Sequence, residues 1–165
     1  MRRCFVVLAA WLVASCAWHR SPPKLYSWDE KSATFRWQQG EVRLPPGYQY
    51  KVGSGIDSFA GSFTSPGGSL IVRHDIGSMA GAYAARDGAL FFEERTVAGA
   101  RVWIGRKDET APNGHTTLMA VTFPDSGCAN FFLWPARAED AAVIDSIARS
   151  FRPIGSVRSE PTCNR

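Results

Sequence analysis

This chain is poor in the residues that build metal and nucleophile sites. It carries three histidines in 165 residues, and its four cysteines include no Cys-x-x-Cys pair. A structural zinc site draws on those two residue types at close spacing, so none is expected. No Gly-x-Ser-x-Gly elbow occurs, nor any other recognised nucleophile signature. Gly53-Ser54-Gly55 lacks the strand-to-helix context of a phosphate loop. Basic runs interleaved with aromatics are missing, which argues against a nucleic-acid partner. Nothing calls for a cofactor. There is no internal repeat or heptad, and beyond residue 14 no apolar run approaches the roughly 20 residues of a membrane-spanning helix.

What is present begins at the N-terminus. Met1-Arg2-Arg3 is a short positive segment, and Cys4 to Ala14 is an uncharged apolar run. That length suits the core of an export signal and is too short to span a bilayer. The run ends in Val13-Ala14-Ser15-Cys16, which resembles the lipobox of bacterial lipoproteins. The resemblance implies cleavage before Cys16, acylation of Cys16, and a membrane partner through the acyl anchor. Ala17 in place of Asp implies the outer membrane, facing the periplasm. Arg2-Arg3-Cys4-Phe5-Val6 also resembles a twin-arginine export motif without its flanking polar residues, so the export route stays open. Residues 1–15 are therefore expected to be a signal peptide. Residues 16–32 read as a membrane-proximal linker, in which Trp18, Tyr26 and Trp28 suit the interfacial zone and Arg20 and Lys24 suit anionic head groups.

Loss of residues 1–15 would lower the formal charge from +4 to +2, a weak bias. The remaining chain, about 150 residues, is enough for one domain with a real core. Cys4 would leave with the signal and Cys16 would carry lipid. Cys128 and Cys163 are then an even pair in an oxidising compartment, and a disulfide is expected between them. It would clamp the polar tail, residues 155–165, onto the domain body, residues 33–154.

Short strands are expected at 33–37, 41–44 and 49–52. A clear hairpin follows: Asp57 to Thr64 and Ser69 to Ile76 flank Ser65-Pro66-Gly67-Gly68. A four-residue loop sets Phe63 opposite Leu70 and Phe59 opposite His74. Ser78 to Ala85, rich in alanine and stopped near Gly88, predicts a short internal helix. Two further hairpins are expected, 90–97 with 101–106 and 115–123 with 128–134. The last pair is apolar on both faces, as a central position requires. Ala138 to Phe151 predicts an amphipathic helix with Val143, Ile144, Ile147 and Phe151 on its buried stripe. The expected fold class is α+β: an antiparallel sheet of hairpins with that C-terminal helix and the one short internal helix. From Val42-Arg43-Leu44-Pro45-Pro46-Gly47 to Ile147-Ala148-Arg149-Ser150-Phe151-Arg152 the order resembles the Mog1/PsbP-like fold. The resemblance implies a domain that binds or supports protein complexes; fold alone does not assign function.

The best chemical constellation is Asp57, His74 and Asp75. Strand parity puts Asp57 and His74 on the apolar face and Asp75 on the other. A carboxylate beside an imidazole can orient a general base; the same pair can equally be a buried contact that holds the hairpin. His115 reads as an exposed loop residue, and Glu93, Glu94, Asp108 and Glu109 as hairpin charges that match no calcium loop. Trp103, Phe131, Phe132 and Trp134 read as core, with Trp134 able to reach the surface. The expectation is a lipid-anchored envelope protein with a binding or accessory role toward an envelope protein. The alternatives are a small hydrolase using His74 with Asp57 or Asp75, and a small-ligand module with a pocket between sheet and helix.

Overall fold

The computed structural model describes residues 26–55, 57–77, 80–111, 114–156 and 163. The expected signal segment, residues 1–15, and Cys16 lie outside the described residues. Among the described residues, two antiparallel sheets and one short helix near the C-terminus form a mainly β fold.

The small sheet contains β1 (Tyr26–Asp29), β2 (Thr34–Trp37), β3 (Gly40–Arg43) and the two-residue β11 (Arg152–Pro153), in the order β1-β2-β3-β11. The large sheet contains β4 (Gln49–Val52), β5 (Phe59–Thr64), β6 (Ile71–Ile76), β7 (Phe91–Val97), β8 (Ala100–Asp108), β9 (Thr117–Phe123) and β10 (Ala129–Leu133). Its order is β4-β5-β6-β10-β9-β8-β7. Hairpins β5-β6, β7-β8 and β9-β10 are the three expected from turn chemistry, and β10 is the central strand, buried at all of its residues.

Helix α1 (Ala141–Ser150) follows a turn of 3-10 helix over Ala138–Asp140. Asp140 starts it: its Oδ2 accepts the N–H groups of Ala136 at 3.0 Å and Arg137 at 2.9 Å. Ile144 and Ile147 face inward and Phe151 continues the same stripe. They meet Phe123, stacked on Phe151 at 4.2 Å, and the ring of Trp37. The small sheet and α1 thus cover one face of the large sheet, with Phe35, Val42, Phe63, Val72, Val121 and Phe131 between them. Asp145 of α1 holds Arg95 of β7 in an ion pair, and Arg95 also binds Glu93.

Three expectations need correction. Residues 26–32, read as the end of a linker, form β1 and a turn; Tyr26 stacks on Phe59 at 3.6 Å and Trp28 packs on Phe63 at 5.1 Å. Tyr26 and Trp28, two of the aromatics that suit a membrane interface, find a protein surface here, and Trp18 lies outside the described residues. Second, the β5-β6 register differs by two residues: Phe63 faces Val72, Gly61 faces His74 and Phe59 faces Ile76. The connection runs from Ser65 to Leu70, closed by Ser65 N–H to Leu70 C=O at 2.9 Å and Leu70 N–H to Ser65 Oγ at 2.9 Å. An even slip leaves every side chain on its predicted face. Third, residues 80–89 form turns, and no helix occurs there among the described residues. The N–H groups of Tyr83 and Ala84 go instead to Asn130 Oδ1 and Thr122 Oγ1 of the large sheet, both at 3.0 Å. Sheet side chains take donors that an α-helix would spend on its own carbonyls.

Candidate functional site

The two sides of β6 have different chemistry. Val72, His74 and Ile76 point into the core, and Ile71, Arg73 and Asp75 point to the opposite, outer face.

On the inner side His74 is sealed, with 1% of its surface exposed. It sits in a cage of rings: Phe35 at 4.8 Å, Phe59 at 4.9 Å, Phe63 at 5.6 Å and Tyr50 at 5.7 Å. Tyr50 Oη and His74 Nε2 share a hydrogen bond of 3.2 Å whose direction depends on the imidazole tautomer. Nδ1 makes no hydrogen bond of good geometry among the described residues. Burial drives the imidazole pKa from 6.5 to about 3, and polar contact with the Phe59 backbone offsets part of that. The ring is therefore neutral at physiological pH. Burial also raises the Tyr50 hydroxyl, so this pair is held as uncharged groups.

Gly61 explains how the imidazole fits. A Cβ at that position would strike His74 Nε2 and lie 2.9 Å from Tyr50 Oη and 3.0 Å from the Lys51 carbonyl oxygen. Asp57 is exposed ahead of β5 and makes no hydrogen bond or ion pair with His74. The proposed partner across the hairpin is replaced by Tyr50, because β4 pairs with β5 and sets Tyr50 opposite Phe63. Asp75 lies on the other side of the sheet. The sequence constellation of Asp57, His74 and Asp75 is thus spread over three environments. Ser78 lies outside the described residues.

On the outer side a cavity of about 340 Å³ opens over β5 and β6. Its floor is Ala60, Gly61 and Ser62 of β5 and Ile71, Arg73, His74 and Asp75 of β6, with the His74 ring itself turned to the inner side; Tyr83, Phe132, Gly53 and Ser54 complete the lining. A second cavity of about 250 Å³ adjoins Arg73 from the other direction and is lined also by His115 and Trp134. Arg73 therefore stands between two recesses. Its guanidinium lies over the Trp134 ring, 5.5 Å from the centroid, an attraction between cation and ring quadrupole. Trp134 is fixed by its Nε1–H donating to the Glu109 carbonyl at 2.9 Å and by edge contact with Phe132 at 5.7 Å. In register across the strands, Lys51, Ser62, Arg73 and Phe132 form one row on this face.

Asp75 is half-buried. Its Oδ2 accepts the Tyr83 hydroxyl at 3.2 Å, and its Oδ1 is buried without a partner among the described residues. Burial first, and then the Asp75 charge, push the Tyr83 hydroxyl up to about 12, so it remains a donor. Tyr83 is in turn positioned by Asn130. That fully buried amide accepts from Tyr83 N–H at 3.0 Å and Thr122 Oγ1 at 2.6 Å, and donates to the Gly81 carbonyl at 3.1 Å. Cys128 stands two residues before Asn130, and its sulfur is at bonding distance from that of Cys163, with Cα atoms 4.8 Å apart. The disulfide, Ala80 and the Asn130 network together hold residues 80–84 on the sheet.

Glu93 and Glu94 are occupied, by Arg95 and by Trp103 Nε1–H at 2.7 Å. His115 is half-buried, not exposed as expected, and faces the second recess. Arg73, Tyr83, Asn130 and Tyr50 were not singled out by sequence. For Arg73 a signal exists: the alternation Ile71-Val72-Arg73-His74-Asp75 puts Arg73 and Asp75 on one face. Tyr83 and Asn130 have none, because their meeting is long-range.

Among the described residues no helix is long and apolar enough to cross a membrane. Comparison with family models, curated proteins and solved structures finds no match to this chain.

Proposed function

We propose that this chain is a lipid-anchored cell-envelope protein whose single domain is a binding or accessory module. The anchor is Cys16, and the residence is the outer membrane, facing the periplasm. Support for the anchor is the order of Met1-Arg2-Arg3, the apolar run and Val13-Ala14-Ser15-Cys16. Support for a Mog1/PsbP-like fold is the sequence order of short strands and hairpins ending in a helix that packs on the large sheet.

One observation carries the binding role. The residue best suited to acid–base work, His74, is neutral and enclosed by rings, whereas polar and aromatic groups converge on an open recess behind it. Enclosed rings stabilise; a recess with a few convergent polar groups is what ligand recognition needs. The groove also favours a small-ligand module, with its pocket on the outer face of the sheet and not between sheet and helix.

The test is made in the native envelope. Cys16→Ala should abolish acyl labelling and release the protein from membranes. Crosslinking and pull-down of the anchored chain should recover a partner or ligand, and Arg73→Ala should lose it while His74→Gln keeps it. A mature protein without an acyl chain by mass spectrometry refutes the anchor. A folded His74→Gln protein that lacks a hydrolytic activity present in wild type refutes the binding role.

A further inference from the structure

Arg73 carries a charge for which the fold supplies no counter-ion. Its guanidinium lies over the Trp134 ring and makes no hydrogen bond or ion pair among the described residues. A ring face attracts a guanidinium without engaging its N–H donors. Asp75, two residues along on the same face, does not compensate it: one carboxylate oxygen takes the Tyr83 hydroxyl and the other is enclosed. Trp134 lines the second recess and not the first, so the charged end of Arg73 belongs to the second. That recess, of about 250 Å³, has braced walls. Ser65 closes the turn ahead of it with two hydrogen bonds to Leu70. Ala111 N–H donates to the His115 carbonyl at 2.7 Å. Asp140 holds Ala136, and the Glu109 carbonyl holds the Trp134 indole. The rest of the lining is largely apolar: Leu70 and Ala111 are buried, and Ile71 leaves 45% of its surface open.

We infer that this second recess binds a small monocarboxylate: an organic anion with one free carboxylate and a short apolar body. The carboxylate accepts from the N–H groups of Arg73, whose planar fork matches its two oxygens. These are charge-assisted hydrogen bonds, the strong kind. The body lies against Ile71, Leu70 and Ala111 and takes apolar surface out of water. A phosphate dianion suits the recess less well. Among the described residues Arg73 is the one lysine or arginine that lines it, so a second negative charge would stay uncompensated beside apolar surface. A neutral ligand would leave the guanidinium without its acceptor. The volume falls below the roughly 300–1,000 Å³ of pockets for drug-sized molecules, which limits the body to a few carbon atoms.

This inference rests on the small-ligand form of the binding role proposed above and names its ligand class. The experiment is an NMR titration of the full chain in nonionic detergent micelles, read at the Trp134 indole N–H and the amides of Ser69, Ile71 and Arg73. The probes are sodium butyrate, butyramide, n-butylammonium chloride and inorganic phosphate. The expected result is saturable shifts of those signals with butyrate. Butyramide, with the same shape and no charge, should bind about tenfold or more weakly, and so should butylammonium and phosphate. Arg73→Gln should lose a similar factor for butyrate with an unchanged unfolding curve, because the side chain is exposed. Absence of saturable butyrate shifts overturns the inference. So does butyramide or phosphate binding as tightly as butyrate, a comparison made on the wild-type protein alone. Full butyrate affinity in Arg73→Gln overturns it as well. If butyrate fails while Arg73→Ala still abolishes capture of a partner, the ligand class is wrong and the binding role survives.

Discussion

A neutral histidine in the core makes the stability of this fold depend on pH in a calculable way. In the unfolded chain His74 protonates near its ordinary value of 6.5, and in the fold only near about 3. Below pH 6.5 the unfolded state therefore binds more protons than the native one, so stability rises with pH across this window. The contribution is complete above 6.5, falls as the pH is lowered, and is fully lost below about 3. At about 1.36 kcal/mol per pH unit, going from about pH 7.5 to about pH 4.5 costs the native state about 3 kcal/mol through this residue. For a domain whose total is about 5–15 kcal/mol, that is a large share. Carboxylates titrate in the same range, so the measurement is a difference. Urea denaturation of wild type and His74→Gln is followed from about pH 7.5 to about pH 4.5. The variant should be less stable at the upper end, because it disturbs the ring cage, and the gap should close by about 3 kcal/mol at the lower end. Parallel curves would refute the reasoning, as would an imidazole NMR resonance of native His74 that titrates near pH 6.

Gly61→Ala should destabilise the fold by about 1–3 kcal/mol, since the new methyl meets both members of the Tyr50–His74 pair and the β4 backbone; urea denaturation reads it, and an unchanged midpoint would remove the close-approach argument. Reduction of the Cys128–Cys163 bond, 35 residues apart, should cost about 4 kcal/mol in the chain-entropy model. Non-reducing peptide mapping of protein from the envelope should find the linked pair, and free alkylation of both thiols would contradict it. Asp140→Ala should cost about 1 kcal/mol by removing the acceptor for Ala136 and Arg137; Asp140→Asn should retain most of that stability in thermal melts.

Local chemistry made much of this architecture readable. Gly99 and Gly127 turn two hairpins with positive φ, and their flanking strands alternate or run apolar as their burial demands. The stripe from Val143 to Phe151 marks the helix for the same reason. Loop length was less legible: Ser65 closes its turn with both backbone and hydroxyl, and no tabulated turn dipeptide announces that. The helix expected over Ser78 to Ala85 does not form in its described part, because alanine favours helix only while its N–H groups have no better acceptor. Asn130 and Thr122, about 40 residues away in the chain, supply that acceptor. The site suffered most from the same limit. Parity separated His74 from Asp75 correctly, but choosing Tyr50 over Asp57 required knowing that β4 joins the sheet beside β5.

The strand Tyr26–Asp29 shortens the leash. On the lipid-anchored reading, the chain between an acylated Cys16 and Tyr26 is nine residues long. Even fully drawn out, the ten steps from Cys16 to Tyr26 reach no more than about 36 Å. The mooring point is also defined on the body: Tyr26 stacks on Phe59, and the next residue, Ala60, is part of the groove floor. On that reading, a domain moored there could not roam the periplasm. So anchored, it would sample a shallow layer above the bilayer, and its groove would meet whatever diffuses close to the lipid surface or is tethered within the same few nanometres.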